Sequence, residues 1–238
     1  MNLATMLGLS LMRLEVAFEY PNSLDTERLV MFYDRLSNPR GDAATMDRHV
    51  ARLEMLLGRP LRAKVYWVRG PLRRLGLSRL STHALALGSQ ESPTDWSAGG
   101  GLDRHELAHA VLDELRTRGA DPPKLLHEGW ATAQSGEQPE ILARNALAYR
   151  KADPARRLRD QVEPDRYYLD AGPVYAVGGA FVAFLIRRYG SELFFKLYNE
   201  GKPETFATDC RRIYGMNLAA LEKSFWDEAR ILAGGSGE

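Results

Sequence analysis

Two histidines and a glutamate at positions 105–109 could support metal chemistry by their type and spacing. The segment reads His-Glu-Leu-Ala-His and lies in a stretch with helical character. Each residue of an α-helix turns about 100°, so the imidazoles of His105 and His109 leave the same face. Such a pair can bind one Zn²⁺, with Glu106 beside it to accept a proton from a bound water. The alternative is a solvated amphipathic helix, in which Asp103 and Glu106 form a capping box.

A catalytic zinc site needs a third protein ligand and leaves one position open. Eighteen residues separate His109 from Glu128. Between them the sequence predicts a helix to about Arg118, a break over 119–123 that contains a glycine and two prolines, and a second helix. That helix–turn–helix can return the Glu128 carboxylate to the two imidazoles. Neighbouring helix positions point about 100° apart, so His127 is not expected to bind the same metal.

This arrangement resembles the gluzincin zinc metallopeptidases, most of all their M1 aminopeptidase-like branch and more loosely thermolysin. The resemblance rests on His-Glu-x-x-His, on the eighteen-residue spacing to Glu128, and on the Glu-Gly-x-Ala setting of that glutamate. It also rests on Tyr175 and Gly178, which match a Tyr-x-x-Gly segment of the same branch. In pattern the resemblance covers roughly Val65 to Trp226.

The resemblance implies a zinc-dependent metallopeptidase that hydrolyses peptide bonds with metal-activated water. It implies one Zn²⁺ per chain, held by His105, His109 and Glu128. Glu106 would act as the base, and the Tyr175 hydroxyl would stabilise the oxyanion. For Tyr175 alone, an aromatic in a helical core would be the commoner interpretation.

Asp113 lies two turns after His105 on the histidine side of the predicted helix. A carboxylate there could orient a ligand histidine by accepting its second N–H, which metal-bound histidines usually require. A solvated helix carboxylate is the alternative.

One motif of the M1 branch is absent from the sequence. True M1 aminopeptidases carry Gly-x-Met-Glu-Asn upstream, whose glutamate binds the free amine of the substrate, and Glu91 has no matching context. The choice between endopeptidase and aminopeptidase is therefore open. A rival interpretation is a pseudopeptidase, a gluzincin-like module that binds peptides without cleaving them. A helical interaction module without metal is a third.

Composition bounds the remaining possibilities. The 238 residues are 45% hydrophobic and 26% charged, as in ordinary globular proteins. The net charge of +1 gives no reason to expect nucleic acid or a membrane as partner. The partner that the resemblance implies is a peptide or protein substrate. Cys210 is the single cysteine, which excludes an intrachain disulfide. The apolar segment Met1 to Met12 lacks the basic start of a signal peptide. A soluble, cytoplasmic protein is predicted, although a piece of a longer secreted or anchored protein would look the same. The oligomeric state is not predicted.

The predicted fold class is α+β. A small mixed α/β lobe with a sheet (1–101) precedes an active-site helix and an all-helical, thermolysin-like lobe (102–233), and 234–238 form a flexible tail. Strands are predicted at 14–20, 64–68 and 82–87. Helices are predicted at 24–36, 43–57, 139–151, 173–189, 191–200, 204–213 and 218–232.

Three features of the first lobe carry specific expectations. By resemblance, Thr82 to Leu87 is the candidate edge strand that pairs with extended substrate through its backbone, with an ordinary paired strand as the alternative. The glycine-rich stretch Gln90 to Gly101 suits a cleft rim. His49, in the second predicted helix, is expected to be a solvated surface histidine.

Overall fold

The structure is a computed structural model that describes residues 20–33, 36–69, 85–87, 104–116, 122–162 and 170–234. The chain divides into two units, residues 1–115 and 116–238. Some predicted features lie outside the described residues. They are the lobe boundary at 101/102, the glycine-rich stretch 90–101, and residues 14–19, 82–84 and 235–238 of other predicted elements.

The first unit contains a four-stranded sheet among its described residues. Its order is β1 (Asn22–Asp25), β2 (Leu29–Tyr33), β3 (Val65–Arg69) and β4 (Leu85–Leu87). β1 and β2 are antiparallel, and the β2–β3 and β3–β4 pairs are parallel. The strand predicted at 64–68 is confirmed, and β4 confirms the described end of the strand predicted at 82–87. β4 lies at one end of the described sheet.

The helix predicted over 24–36 is wrong, because residues 22–33 form the β1–β2 hairpin. Leu29 and Met31 are fully buried while Val30 between them is not, so the operative period is two and not 3.6. The hairpin is held by contacts distant in sequence. The Asp47 carboxylate accepts hydrogen bonds from Thr26 Oγ1 at 2.6 Å and from the Arg28 amide at 2.8 Å.

Helix α1 (Pro39–Leu57) joins β2 to β3 and confirms the helix predicted at 43–57. It begins earlier than predicted. Proline fits the first helical position because its ring presets φ and the missing N–H is not needed there. The Asn38 side chain accepts a hydrogen bond from the Gly41 amide at 3.1 Å. Gly58, with φ of 63°, ends the helix in the left-handed conformation.

Helix α2 (Arg104–Leu115) carries the histidine motif and confirms its predicted helical setting. Within the first unit it contacts α1, β3 and β4. Its apolar side chains, Leu107, Ala108, Val111 and Leu112, are fully buried. The histidines at 105 and 109 therefore occupy the half-buried remainder of a helix whose orientation is set by its apolar face.

The second unit is helical in its described residues and confirms the predicted helices, with ends differing by one or two residues. Its helices are α3 (Lys124–Gln134), α4 (Pro139–Ala152), α5 (Ala171–Tyr189), α6 (Ser191–Glu200), α7 (Phe206–Tyr214) and α8 (Leu218–Leu232), with a 3₁₀ turn at Leu158–Gln161. Helix α5 packs against α3, α4, α6 and α8. The chain is thus helix-rich α+β.

Aromatic side chains fill the core of the second unit. Phe181 and Phe225 meet edge to face with ring centroids 5.4 Å apart. Trp130 stacks on Phe194 at 5.5 Å. Edge-to-face and offset pairs suit the quadrupoles of the rings, so this core stabilises α3, α5, α6 and α8 as one body. Cys210 is buried, and desolvation raises the pKa of its thiol to about 12, as expected of an inert core cysteine.

Within the described ranges, none of the helices combines the length and the apolar character required to cross a bilayer.

Candidate metal centre

The two histidines lie as the helix geometry predicts. On α2 their ring centroids are 4.8 Å apart, and the ring planes are inclined by 84°. Both residues are half-buried, as is Glu106. One turn of helix is enough to bring the imidazoles together.

Glu128 lies in the first half of α3, and the two prolines before it are buried. Pro123 is the residue before the helix and has extended backbone, and its carbonyl accepts hydrogen bonds from the amides of Leu126 and His127. The side chain of Glu128 is only 6% exposed. A carboxylate this deeply buried is costly unless its charge is compensated, and metal coordination is one such compensation.

His105, His109 and Glu128 form a group that could hold a metal ion. One ligand atom from each lies within 4.8 Å of the others. Donors on one tetrahedral zinc ion, with bonds of 2.0–2.2 Å, lie about 3.4 Å apart, so the widest pair would draw together by up to about 1.4 Å. Two imidazole nitrogens and one carboxylate oxygen are a donor set that zinc prefers. The donors therefore fit a zinc ion.

Two glycines fix how α3 packs against α5. A Cβ built on Gly129 would lie 2.5 Å from the carbonyl oxygen of Gly178, and a Cβ built on Gly178 would lie 2.8 Å from the carbonyl oxygen of Leu125. Real Cβ atoms do not approach a backbone oxygen so closely, so the two helices meet backbone to backbone. This contact gives a structural reason for the glycines of the Glu-Gly-x-Ala and Tyr-x-x-Gly segments, which in the sequence are visible only as a pattern.

Tyr175 lies in α5, three residues before Gly178, and is half-buried. Residues three apart are neighbours on one side of a helix. The Gly129–Gly178 contact therefore pairs the turn of α3 that carries Glu128 with the part of α5 that carries Tyr175.

His127 has a different role from its neighbour. Its Nδ1 lies 2.8 Å from the hydroxyl of Tyr198, whose side chain is fully buried. This bond joins α3 to α6. Asp113 is half-buried on α2, and its role toward a ligand histidine stays a prediction.

The expectation that His49 is a solvated surface histidine is wrong, because this residue is 7% exposed. It lies on the buried side of α1, three residues after Met46 and four before Leu53, a spacing visible in the sequence. Desolvation, aided by the charges of Arg52 and Arg104, lowers the pKa of His49 to about 4.

Acid should therefore destabilise the first unit through His49. An unfolded histidine has a pKa near 6.5, so between pH 6.5 and 4 the unfolded chain binds a proton that the folded chain excludes. Stability is fully retained above pH 6.5 and falls as the pH drops to 4. At pH 4.5 the loss should be about 2 kcal/mol, by linkage.

Urea titrations at pH 7 and 4.5, in the presence of a chelator, measure this effect against a His49→Gln variant. The variant should lose about 2 kcal/mol less of its unfolding free energy than the wild type over that interval. Equal losses in both proteins would contradict the assignment.

Comparison with solved structures gives a likeness over most of the chain. A crystal structure of an M1 zinc metallopeptidase from Deinococcus radiodurans, in a mutant form bound to the substrate Tyr-Ser-Ala, matches with a TM-score of 0.51 and 17% identity. A two-domain M1 zinc metallopeptidase mutant bound to L-tryptophan matches with a TM-score of 0.51 and 18% identity. An M1 zinc metallopeptidase from Deinococcus radiodurans matches with a TM-score of 0.50 and 19% identity.

The chain is like these proteins in fold. The matches cover 91%, 91% and 89% of this chain and 51%, 51% and 50% of the solved chains, so it spans about half of their length. No protein-family model and no curated protein sequence matches the chain.

Proposed function

We propose that this protein is a zinc metallopeptidase that hydrolyses peptide bonds, with His105, His109 and Glu128 as the zinc ligands. The observation that carries the proposal is the proximity of two imidazoles and a buried carboxylate within 4.8 Å of one another. The fold-level likeness to M1 zinc metallopeptidases supports it.

Bound to these residues, zinc would supply Lewis-acid chemistry, polarising a carbonyl oxygen and making water a stronger nucleophile at neutral pH. Glu106 accepts the proton of the attacking water on its carboxylate and delivers it to the leaving nitrogen. The Tyr175 hydroxyl donates a hydrogen bond to the oxyanion that forms when water adds to the carbonyl. Asp113 would orient a ligand imidazole.

The substrate would be a peptide or a protein segment. We retain β4 and the residues before it, Thr82 to Leu87, as the edge to which an extended peptide adds. The position of β4 at one end of the described sheet supports this role. Backbone pairing at a sheet edge holds a peptide with little regard to its side chains.

Zinc binding is the first test of the proposal. The purified chain, loaded with zinc and dialysed, should contain about one zinc ion, the stoichiometry of a mononuclear site. Glu128→Gln and His109→Ala should each weaken zinc binding by more than about 100-fold, beyond the 10–100-fold typical of groups that only orient a ligand. His127→Gln is the matched control and should retain zinc, because this side chain instead contacts Tyr198.

Inductively coupled plasma mass spectrometry and competitive titration with a chromogenic chelator give the stoichiometry and the affinity. A chain that cannot be loaded with zinc, or a Glu128→Gln variant as tight as the wild type, would overturn the proposed metal site. A zinc-loaded chain that binds peptides but cleaves none in a mixed library would be consistent with the metal site. It would contradict peptidase activity and favour a peptide-binding module.

A further inference from the structure

An open groove on the second unit concentrates positive charge. It has a volume of about 780 Å³ and is lined by cationic side chains from three elements, namely Arg150 of α4, Arg157 and Arg159 at the 3₁₀ turn, and Lys223 and Arg230 of α8. One carboxylate, Glu222, also lines it. The whole chain has a net charge of only +1, so this groove departs strongly from the average surface.

The single carboxylate is already engaged inside the protein. Glu222 is 8% exposed, and its Oε1 accepts hydrogen bonds from the Leu158 amide at 3.2 Å and from Trp226 Nε1 at 3.3 Å. The guanidinium of Arg150 lies 3.9 Å from the same oxygen and 4.5 Å from the centre of the Trp226 ring. Glu222 therefore offsets little of the charge on the other four cations.

Two of the guanidinium groups have no ion-pair partner among the described residues. Arg157 and Arg159 are exposed, and the nearby Asp160 carboxylate accepts a hydrogen bond from the Arg157 backbone amide at 2.8 Å. Lys223 and Arg230 share the carboxylate of Asp227. Burial and the nearby charges of Arg157 and Arg230 lower the pKa of Arg150, against the influence of Glu222. Like charges held this close are stabilised by an anion.

The placement of the cations indicates the kind of anion that fits. Lys223 and Arg230 already converge on the single carboxylate of Asp227. Arg157 and Arg159 line the groove from another element, and a volume of about 780 Å³ is far larger than one small anion requires. A segment that carries several carboxylates can therefore pair with more of these side chains than one small anion can.

The floor of the groove argues against a nucleic acid. Trp226 is 4% exposed and covered by Arg150, so it offers no free ring face for base stacking. The small exposed side chains of Ala207 and Ala219 also line the groove and leave room for a peptide backbone.

We infer that this groove is a binding site for an acidic peptide segment, whose carboxylates pair with Arg157, Arg159, Lys223 and Arg230. Charge complementarity gives such a site its specificity and its dependence on salt. The site is built within the second unit and does not require the zinc centre to be occupied or active.

Fluorescence anisotropy with labelled hexaglutamate tests this inference on the full chain, with hexaglutamine as the neutral peptide and mass spectrometry to verify that the peptide stays intact. The double variant Arg157→Ala/Arg159→Ala should weaken hexaglutamate binding about tenfold, since each exposed charge pair is typically worth a few-fold. The matched control is Arg188→Ala/Arg211→Ala, which removes two exposed arginines that do not line the groove. This control has the same net charge as the Arg157→Ala/Arg159→Ala variant. Its affinity for hexaglutamate should be within about twofold of that of the wild type.

Several outcomes would overturn the inference. Equal weakening by the two double variants would show that hexaglutamate binding depends on the overall charge of the protein and not on the groove. Hexaglutamine binding as tight as hexaglutamate binding would remove the role of the carboxylates. A single-stranded oligonucleotide of equal charge that binds more tightly, and is lost in the Arg157→Ala/Arg159→Ala variant, would assign the groove to nucleic acid. Circular dichroism verifies that both double variants are folded. Lys223→Gln, on α8, should independently weaken hexaglutamate binding at the same groove.

Discussion

Glu106→Gln should lower the rate of peptide hydrolysis by about 10²- to 10⁴-fold while leaving zinc bound, because general acid–base catalysis is typically worth that much. Glutamine preserves the size and hydrogen-bonding capacity of the side chain but cannot accept the proton of the attacking water. The donor set of His105, His109 and Glu128 is unchanged, so zinc content should stay at about one per chain.

The measurement is the cleavage of a mixed peptide library by the zinc-loaded wild type and variant, followed by kcat/KM for the best substrate. Glu114→Gln is the matched control, since it removes the same charge from the same helix eight residues later. It should change kcat/KM by less than about twofold, as is usual for substitutions outside a site. Turnover by Glu106→Gln at the wild-type rate would exclude Glu106 as the base, whether or not the zinc site is correct.

Gly129→Ala should destabilise the second unit by about 3 kcal/mol, the upper part of the range for overpacked cores. On an open helix the same change would be stabilising by up to about 1 kcal/mol, because alanine is the better helix former. Here the new Cβ would lie 2.5 Å from the carbonyl oxygen of Gly178, so α3 and α5 must separate. Glu128 is the adjacent residue, and its displacement should weaken zinc binding in the folded protein.

Gly172→Ala is the matched control on α5. A Cβ there would meet the hydroxyl of Tyr149, the far end of an exposed side chain that can rotate away. Urea denaturation monitored by circular dichroism, with and without zinc, should give a midpoint at or slightly above that of the wild type for Gly172→Ala and a lower one for Gly129→Ala. A Gly129→Ala protein with wild-type stability would show that the backbone contact between α3 and α5 is absent.

The local features of the candidate site could be predicted from the sequence. His105 and His109 share a helix face because the turn per residue is a property of the backbone, whatever surrounds the helix. The helices of the second unit were predicted to within one or two residues because glycine and proline at their ends act on adjacent backbone. Gly215, with φ of 71° at the end of α7, is such a signal.

Features that depend on residues far apart in sequence could not be predicted in this way. The segment 24–36 fits periods of both two and 3.6, and its residues up to Tyr33 belong to a hairpin in which Asp47 of α1 holds Thr26 and Arg28. The burial of His49 depends on which face of α1 meets the remainder of the unit. The cationic groove unites positions 150, 157, 159, 223 and 230, which no short motif connects.

Glu128 lies between these cases. Its spacing from His109 and its resemblance to a known pattern identified it as a candidate ligand, but no local rule places a carboxylate from another helix beside two imidazoles. The candidate chemistry was therefore indicated by residue types and by one turn of helix. The proximity of the third ligand was decided by tertiary structure, because no rule that acts on neighbouring residues brings a side chain of one helix beside the side chains of another. Gly129 and Gly178 decide only how closely α3, which carries Glu128, approaches α5.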